Sequence, residues 1–278
     1  MSSTNPSASG RPLALVTGAS AGIGAEFARQ LAAGGHDLVL TARRRERLEQ
    51  LGAELEGKHG CQCLVVVADL ADPAAAETIC RQVEDAGRQV DLLVNNAGYG
   101  VAGLYHATDW ASQQQFLQVM VNAVAELTHR LLPGMRTHGR GGVINVASLA
   151  GVVPGAPGHT LYGAVKAWMI SFTEALALEN AESGLSFQAL CPGFTYSEFH
   201  DVVGTRDLVS NIPGFMWMNA DRVVAISLAQ FGRRNSPVML LPGAWNRFAA
   251  MLARKLPYRM SMALIKRQSR QFRRGASD

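Results

Sequence analysis

The sequence predicts an α/β protein in which helices cover both faces of a doubly wound, seven-stranded parallel sheet, giving three layers. Short apolar runs alternate with longer segments of helical periodicity, which is typical of parallel strands joined by right-handed helical crossovers. A glycine-rich turn follows the first run, and polar residues follow several later ones. Of the 278 residues, 48% are hydrophobic and 17% are charged, which suits one large core and is too little charge for a disordered chain.

Seven apolar runs are the candidate strands. They are predicted at residues 13–17, 36–42, 63–68, 90–94, 142–147, 185–190 and 237–241. Helical spacing of apolar residues lies between them, for example at residues 73–86 and in one long helix at 108–132. Because parallel strands have their carboxyl ends along one edge, a ligand site is expected at that edge.

The chain is predicted to consist of a flexible arm at residues 1–11, one domain at 12–243 and a basic extension at 244–278. The arm lacks the basic start and apolar centre of a signal peptide. Cys61, Cys63, Cys80 and Cys191 show neither a C-x-x-C pair nor histidines at zinc spacing, so we expect thiols in a reducing compartment and no structural metal. The expected location is the cytoplasm, and no nucleic-acid partner is expected.

A substrate lid is predicted at residues 194–219, between the sixth and seventh strands. The segment combines aromatic residues, methionines and helix breakers, and its length suits a lid better than a simple connection. The residues expected to give it an apolar pocket are Phe199, Phe215, Met216, Trp217 and Met218.

A nucleotide-binding loop is predicted where the first strand continues into TGASAGIG. Gly18, Gly22 and Gly24 have the spacing G-x-x-x-G-x-G. This differs from G-x-G-x-x-G, but it also lets backbone N–H groups and a helix N-terminus approach a pyrophosphate. An ordinary tight turn is the alternative, and the position between a strand and a helix favours the loop.

The second strand ends at Ala42, where a site for NAD has an acidic residue for the ribose 2′-hydroxyl. Arg43, Arg44 and Arg45 follow it, and an arginine there can pair with a 2′-phosphate. The alternative is a solvated first helical turn, although three cations suit the positive end of a helix poorly. The sequence therefore favours NADP(H), with NAD(H) also allowed, assigns Arg43 to the cofactor and leaves Arg44 and Arg45 undecided.

Tyr162 and Lys166 are four residues apart in a predicted helix, so their side chains should project from one face. The ammonium should stabilise a phenolate and lower the pKa of Tyr162 towards neutrality, which suits an acid/base group. A helical tyrosine beside a solvated lysine explains this weak motif equally well. Ser148, at the end of the fifth strand, adds a third polar group to this segment.

Two further polar residues have alternative explanations. Asp69 follows the third strand, where it could receive an adenine amino group or cap the next helix, although Asp72 before Pro73 is the better N-cap candidate. Asn122 lies in an apolar helical stretch, where an asparagine is usually a satisfied polar group of the core.

Taken in order, TGASAGIG, Asp69, NNAG, Asn122, Ser148, Tyr162-x-x-x-Lys166 and Pro192-Gly193 resemble the short-chain dehydrogenase/reductase family over roughly residues 12–243. The resemblance implies a Rossmann sheet and reversible hydride transfer between NAD(P)(H) and a carbonyl/alcohol pair. It implies that Tyr162 is the acid/base and that Lys166 lowers its pKa and binds the nicotinamide ribose. Ser148 would bind the substrate oxygen, and Asn122 would hold a water of the proton relay.

The loop pattern and the resemblance together define a set of cofactor-binding candidates. They are Gly18, Ser20, Ala21, Gly22, Ile23, Gly24, Arg43, Asp69, Leu70, Asn96, Ala97, Gly98, Tyr162, Lys166, Pro192, Gly193, Thr195 and Ser197. Members of the family often have threonine where Ser197 stands, and serine keeps the hydroxyl.

The predicted function is NADP(H)-dependent interconversion of a hydrophobic ketone and a secondary alcohol, with the lid composition indicating an apolar substrate. One alternative is reduction of a 3-oxoacyl thioester, for which Arg130, Arg136 or Arg140 could meet an acidic carrier. The other is a non-catalytic NADP-binding regulator or scaffold. The four intact catalytic candidates argue against the second alternative.

The extension is basic and amphipathic, and it resembles that of one branch of the family. Residues 247–278 hold nine Lys and Arg against one acid, whereas residues 1–246 hold 17 against 21. Pro257 is expected to divide the segment into two helices. Residues 245–274 could lie on an anionic membrane, pack on another subunit of a homo-oligomer or cover the chain's own lid.

Overall fold

The computed structural model describes residues 10–155, 157–158, 160–198 and 212–268. Its strands are β1 Leu13–Thr17, β2 Asp37–Ala42, β3 Cys63–Val67, β4 Leu92–Asn95, β5 Gly142–Val146, β6 Ser186–Leu190, β7 Phe194–Tyr196, β8 Trp217–Asn219 and β9 Met239–Leu240. Among these residues, seven strands form one sheet in the order β3-β2-β1-β4-β5-β6-β9, and the pairings within it are parallel. β7 and β8 form a separate parallel pair.

The helices are α1 Gly22–Ala33, α2 Arg45–His59, α3 Ala75–Asp85, α4 Trp110–Leu117, α5 Ala123–His138, α6 Thr160–Glu179, α7 Ala220–Gln230, α8 Ala244–Lys255 and α9 Tyr258–Gln268. One buried cluster joins the sheet to α3, α5 and α6, and a second joins it to α1, α2 and α7. In β1, Leu13 and Leu15 belong to the first cluster, while Ala14 and Val16 belong to the second. Alternate side chains of a strand point to opposite faces, so helices cover both faces and the predicted fold class is confirmed.

The predicted ends of the sheet strands agree with the structure to within two residues. The start of α3 is different, because the helix begins at Ala75 and Ala74 is its N-cap residue. The Asp72 carboxylate accepts a hydrogen bond from the Ala74 N–H at 2.9 Å. Asp72 therefore stabilises a turn before the helix, and its prediction as the N-cap was wrong.

The single helix predicted at residues 108–132 was also wrong in its details. The helix begins at Trp110, where the Asp109 side chain accepts a hydrogen bond from Ser112 N–H at 2.8 Å. A π-helical turn at Gln118–Asn122 then separates α4 from α5, and α5 continues through Pro133 to His138. A π turn adds a residue to one helical turn, which apolar periodicity does not reveal.

The extension folds as two helices on either side of Pro257, as predicted. Its first turn packs against the domain: Asn246 is buried, and its amide donates a hydrogen bond to the carbonyl of Pro242 at 2.7 Å. A Cβ at Gly193 would collide with this amide. The prediction of Phe199 as a pocket residue, and with it the middle of the proposed lid, lies outside the described residues. Within the described ranges, the helices lack the length and apolar character needed to cross a bilayer.

Candidate active site

The predicted site residues meet at the carboxyl edge of the sheet. The glycine loop follows β1, the Asn96–Gly98 turn follows β4, Ser148 follows β5 and Pro192 follows β6. Hydrogen bonds connect these turns across the edge. The N–H of Leu149 donates to the carbonyl of Pro192 at 2.8 Å, and the side chain of Asn96 donates to the carbonyl of Thr17 at 2.9 Å.

The glycine loop has the shape that a pyrophosphate site requires. Gly18 and Gly22 have φ angles of +68° and +56°, a region that favours glycine. A Cβ at Gly24 would collide with the Gly18 carbonyl and the Asn96 amide. In the described part of the chain, α1 has neither a side-chain cap at Ala21 nor an acid in its first turn. The N–H groups and positive end of α1 therefore suit an anion such as pyrophosphate.

Thr17, which the sequence reasoning missed, braces this loop. Its hydroxyl oxygen accepts hydrogen bonds from the N–H groups of Asn96 and Ala97, both at 2.9 Å, and its hydroxyl donates to the Val94 carbonyl at 3.3 Å. The Asn96 amide donates to the carbonyls of Thr17 and Gly18. Asn96 thus holds the loop in place, a role separate from the predicted contact with the cofactor. A buried threonine at the end of an apolar strand was the available signal.

Arg44, which the sequence left undecided, contacts the glycine loop. Its Nε and Nη2 atoms lie 3.2 and 3.0 Å from the hydroxyl oxygen of Ser20 and donate to it. The Arg43 guanidinium is 71% exposed and lies 4.0 Å from the Asp69 carboxylate, whose other oxygen accepts from Ala71 N–H. Arg45 pairs with Glu49 along α2. The structure therefore makes Arg44 as strong a candidate as Arg43 for binding an anion beside the loop.

Lys166 is buried on α6, with 4% of its surface exposed, and its ammonium donates to the Val146 carbonyl at 2.6 Å. This bond connects α6 to the end of β5, two residues before Ser148. Burial disfavours the charged form and lowers the pKa of Lys166 to about 8. The ammonium is therefore mostly protonated at neutral pH, but it loses its proton far more readily than a lysine in water.

Tyr162 lies one helical turn before Lys166, and its hydroxyl is hydrogen-bonded to Ser148. The Lys166 ammonium is 5.7 Å from the centre of the Tyr162 ring. Burial raises the pKa of Tyr162 to about 12, and the bond to Ser148 opposes this shift. The predicted lowering of this pKa by Lys166 was therefore wrong in direction. Desolvation therefore favours the neutral phenol and outweighs the hydrogen bond to Ser148, which favours the ionised form.

Ser148 is fixed at the start of a short 3₁₀ turn, Leu149–Gly151. Its side-chain oxygen accepts a hydrogen bond from the Ala150 N–H at 3.1 Å. Gly151 lies so close to α6 that a Cβ there would collide with the backbone at Lys166 and Ala167. This close packing sets the distance between the serine and the two residues on α6.

Asn122 ends the π turn that the sequence did not reveal. Its side chain is exposed and its amide donates to Gln118 at 2.8 Å, so it is not a buried core group. The π turn contacts α6, and such turns are frequent at functional sites. The role of Asn122 in a proton relay remains a prediction.

The remaining candidates lie around the same edge. Thr195 is buried and its hydroxyl donates to the Gly193 carbonyl at 3.1 Å. A Cβ at Gly22 would lie 3.0 Å from Cβ of Ser197, so the segment after β6 passes directly over the glycine loop. Gly98 packs against Met120 of the π turn. The positions of Ile23 and Leu70 are different, because both pack into the clusters that line the sheet.

Aromatic side chains form an apolar wall beside this edge. Trp217 stacks on Tyr196 with ring centres 4.8 Å apart and lies 5.4 Å from Phe194. Phe215 packs edge-on against Trp245 of α8 at 5.3 Å. A narrow cleft reaches Tyr162, and its lining combines Val101, Phe116 and Leu161 with the polar Gln113 and Thr160.

Comparison with known proteins gives a consistent picture. The family described as short chain dehydrogenase matches residues 12–207. The chain is 32% identical over 200 residues to a 7β-hydroxysteroid dehydrogenase of Collinsella aerofaciens, an alignment that covers 72% of each protein.

Solved structures show the same similarity in three dimensions. A short-chain dehydrogenase from Sphingobium yanoikuyae in complex with NADPH has a TM-score of 0.77 and 30% identity, covering 86% of this chain and 91% of that one. A 7β-hydroxysteroid dehydrogenase structure has a TM-score of 0.81 and 25% identity, covering 92% and 96%.

Proposed function

The chain belongs to the short-chain dehydrogenase family and is an NAD(P)-dependent oxidoreductase, and we propose that it interconverts a hydrophobic ketone and its secondary alcohol with NADP(H). One observation carries the proposal. The Tyr162 hydroxyl is hydrogen-bonded to Ser148 at the carboxyl edge of β5, and buried Lys166 lies one helical turn away. Carbonyl reduction requires a proton donor and hydrogen-bond donors close to the same substrate oxygen, and these groups lie together.

The chemistry follows from these groups. Bound NADPH would supply the hydride that reaches the carbonyl carbon. Negative charge then grows on the carbonyl oxygen, where the hydroxyls of Ser148 and Tyr162 can donate hydrogen bonds. The pKa of Tyr162, about 12, lies far above neutral pH, so Tyr162 carries a proton that it can transfer to that oxygen. Ser148, fixed by its bond from Ala150 N–H, orients the substrate oxygen.

Lys166 is proposed to bind the nicotinamide ribose of the cofactor. Its ammonium is anchored to the Val146 carbonyl and lies beside the Tyr162 ring. An ammonium has three donors, so donors are left for the ribose hydroxyls of the nicotinamide half. Asn122, at the exposed end of the π turn, is proposed to hold a water of the relay that returns a proton to Tyr162 after Tyr162 has protonated the substrate oxygen.

The preference for NADP(H) rests on the residues after β2. Ala42 ends this strand without a carboxylate, and Arg43 and Arg44 follow it. Arg44 lies against Ser20 of the glycine loop, which suits a phosphate on the adenosine ribose held between the loop and α2. The similarity to a structure that holds NADPH supports the same cofactor.

The apolar wall supports a hydrophobic substrate. Phe194, Tyr196 and Trp217 pack together beside the site. The relative from Collinsella aerofaciens is a 7β-hydroxysteroid dehydrogenase. We propose a ketone or alcohol of comparable hydrophobic character for this chain.

The alternative of an acyl-carrier substrate receives less support from the three arginines suggested for it. Arg130 pairs with Glu126 and Glu77. Arg140 pairs with Asp91, and Arg136 donates to Asn180 at 2.7 Å. Each guanidinium already has a partner within the chain, so an acidic carrier would first have to displace Glu77, Glu126, Asp91 and Asn180 from them.

The proposed reaction is tested with Tyr162→Phe. Ketones and secondary alcohols of increasing size are screened with wild-type protein by NADPH absorbance, and the best substrate is then used for the variant. Turnover should fall by on the order of 10² to 10⁴, because the proton donor is lost. The dissociation constant for NADPH should stay within about twofold, which also serves as the folding control. Substantial turnover in Tyr162→Phe would contradict the proposed mechanism.

We also propose that the extension makes peripheral contact with anionic lipid. Trp245, Phe248, Met251 and Leu252 of α8 are partly exposed, between 37% and 49%. Arginine and lysine residues border this apolar face, and acids are almost absent from residues 247–278. Such a combination attracts an anionic membrane through both charge and apolar burial.

Vesicle sedimentation tests this contact. Met251→Gln with Leu252→Gln should reduce binding to vesicles of phosphatidylserine and phosphatidylcholine, and the control Leu178→Gln changes an exposed leucine on α6. If the double variant bound vesicles as well as wild type but lost self-association in analytical ultracentrifugation, this face would be assigned to a second copy of the chain.

A further inference from the structure

A carboxylate already holds the arginine that faces the glycine loop. Glu198, two residues after β7, accepts hydrogen bonds from Arg44 at 3.0 Å and from Arg47 at 2.7 Å. Arg44 uses Nη1 for this bond, while its Nε and Nη2 donate to Ser20. Arg44 therefore connects the loop after β1, the start of α2 and the segment after β7.

The ion pairs of Glu198 with Arg44 and Arg47 are partly exposed to water. The side chains of Arg44, Arg47 and Glu198 are each between 43% and 47% exposed. Exposed ion pairs contribute little net free energy and are replaced readily by another anion. A phosphate monoester near neutral pH carries a charge of about −1.5 to −2 and three acceptor oxygens, so it competes well with one carboxylate.

We propose that Glu198 is an internal anion that competes with the 2′-phosphate of NADP(H) for Arg44, and that Arg47 retains Glu198 when the phosphate binds. The inference rests on the proposed preference for NADP(H). Two negative groups at one guanidinium repel each other, so Glu198 weakens binding of the phosphorylated cofactor. It leaves binding of the cofactor without that phosphate unchanged. Glu198 is thus a specificity-determining residue for this reaction.

The competing explanation has the opposite sign. If Glu198 only held Arg44 in the correct orientation for the phosphate, removing its charge would weaken NADPH binding. The second arginine on Glu198 favours competition. With Arg47 at 2.7 Å, the carboxylate has a neighbouring cation to bind after it releases Arg44.

Binding titrations separate the two explanations. NADPH and NADH are titrated by fluorescence or calorimetry into wild type and Glu198→Gln, which removes the charge and keeps the size. NADPH should bind about two- to fivefold more tightly to the variant, the range for one exposed charge pair, and NADH should bind equally to both. Glu49→Gln is the matched control, because Glu49 pairs with Arg45 on the same helix, and it should leave both affinities unchanged.

A double-mutant cycle tests whether the effect passes through Arg44. In the Arg44→Ala background, Glu198→Gln should no longer change NADPH affinity. If Glu198 acted only through the overall surface charge, the substitution would still tighten NADPH binding in this background. Weaker or unchanged NADPH binding in Glu198→Gln, with the preference for NADPH present in wild type, would overturn the competition alone. Equal wild-type affinities for NADPH and NADH would overturn the cofactor preference and the competition with it.

Discussion

The groups at the end of β5 and on α6 differ from those at the end of β2 and on α2 in how much water surrounds them. Lys166 is 4% exposed, and burial moves its pKa and that of Tyr162 by about two units or more. Arg43 and Arg44, at the same edge of the same sheet, are 71% and 43% exposed and form surface ion pairs. The part of the edge formed by β5 and α6 is therefore shielded from water (the dry part), whereas the part formed by β2 and α2 is exposed to it (the wet part).

The difference separates chemistry from recognition. A shift of one pKa unit corresponds to about 1.4 kcal/mol, so burial changes the proton affinity of the dry groups by several kcal/mol at most. An exposed ion pair contributes about 0.2 to 1 kcal/mol and is screened by salt. We therefore expect large effects from substitutions on α6, and smaller, salt-dependent effects from substitutions on α2.

The largest expected effect comes from Lys166→Met, which should lower turnover by on the order of 10² to 10⁴ and also weaken cofactor binding. The same substitution should raise the free energy of unfolding at pH 7 by about 1 to 3 kcal/mol, because the charged lysine is buried at a cost. The pKa of Lys166 is about 8 in the folded protein, whereas the ordinary pKa of a lysine is 10.5. Between these values the unfolded state binds more protons, so wild-type stability rises with pH and the advantage of the variant shrinks.

Denaturant unfolding at several pH values checks this prediction. Lys58→Met is the control, since Lys58 is exposed near the end of α2 and its removal should leave the pH dependence unchanged. A variant at Lys166 that is less stable than wild type at every pH would show that the bond to Val146 outweighs the cost of burial. The contrast between the dry and wet parts of the edge would then be much weaker.

A smaller effect is expected on the wet part of the edge. Arg44→Ala should weaken NADPH binding by about tenfold, the lower end for a hydrogen bond from a charged group, and should leave NADH binding unchanged. Arg45→Ala is the matched control, because Arg45 pairs with Glu49 on the outer surface of α2. Raising the salt concentration from about 50 to about 500 mM should reduce the preference for NADPH.

Isothermal titration of both cofactors measures these changes. A larger loss in Arg43→Ala than in Arg44→Ala would restore Arg43 as the main phosphate ligand. If the preference for NADPH over NADH did not change with salt concentration, the arginines would be shielded from water in the complex. The two parts of the edge would then be more alike than the exposed fractions of their side chains indicate.

The amino-acid sequence was sufficient to predict the parts of the fold that depend on neighbours along the chain. Short apolar runs, separated by segments with helical apolar periodicity, located the strands of the sheet. The strand, the glycines and the following helix located the loop at Gly18, and a spacing of four residues placed Tyr162 and Lys166 on one helix face. The order of the motifs then indicated the family, which the comparisons confirmed.

Contacts between residues far apart in the chain became apparent only in the folded structure. Thr17 braces Asn96 across 79 positions, and Arg44 meets Glu198 across 154. Contacts between residues separated by so many positions along the chain leave no periodic pattern in the sequence. The pKa of Tyr162 is a similar case, because spacing placed a lysine nearby but could not state how much water the fold removes from the phenol. Local geometry follows from covalent structure and hydrogen-bond period, whereas desolvation and long-range pairing exist only after the elements have packed.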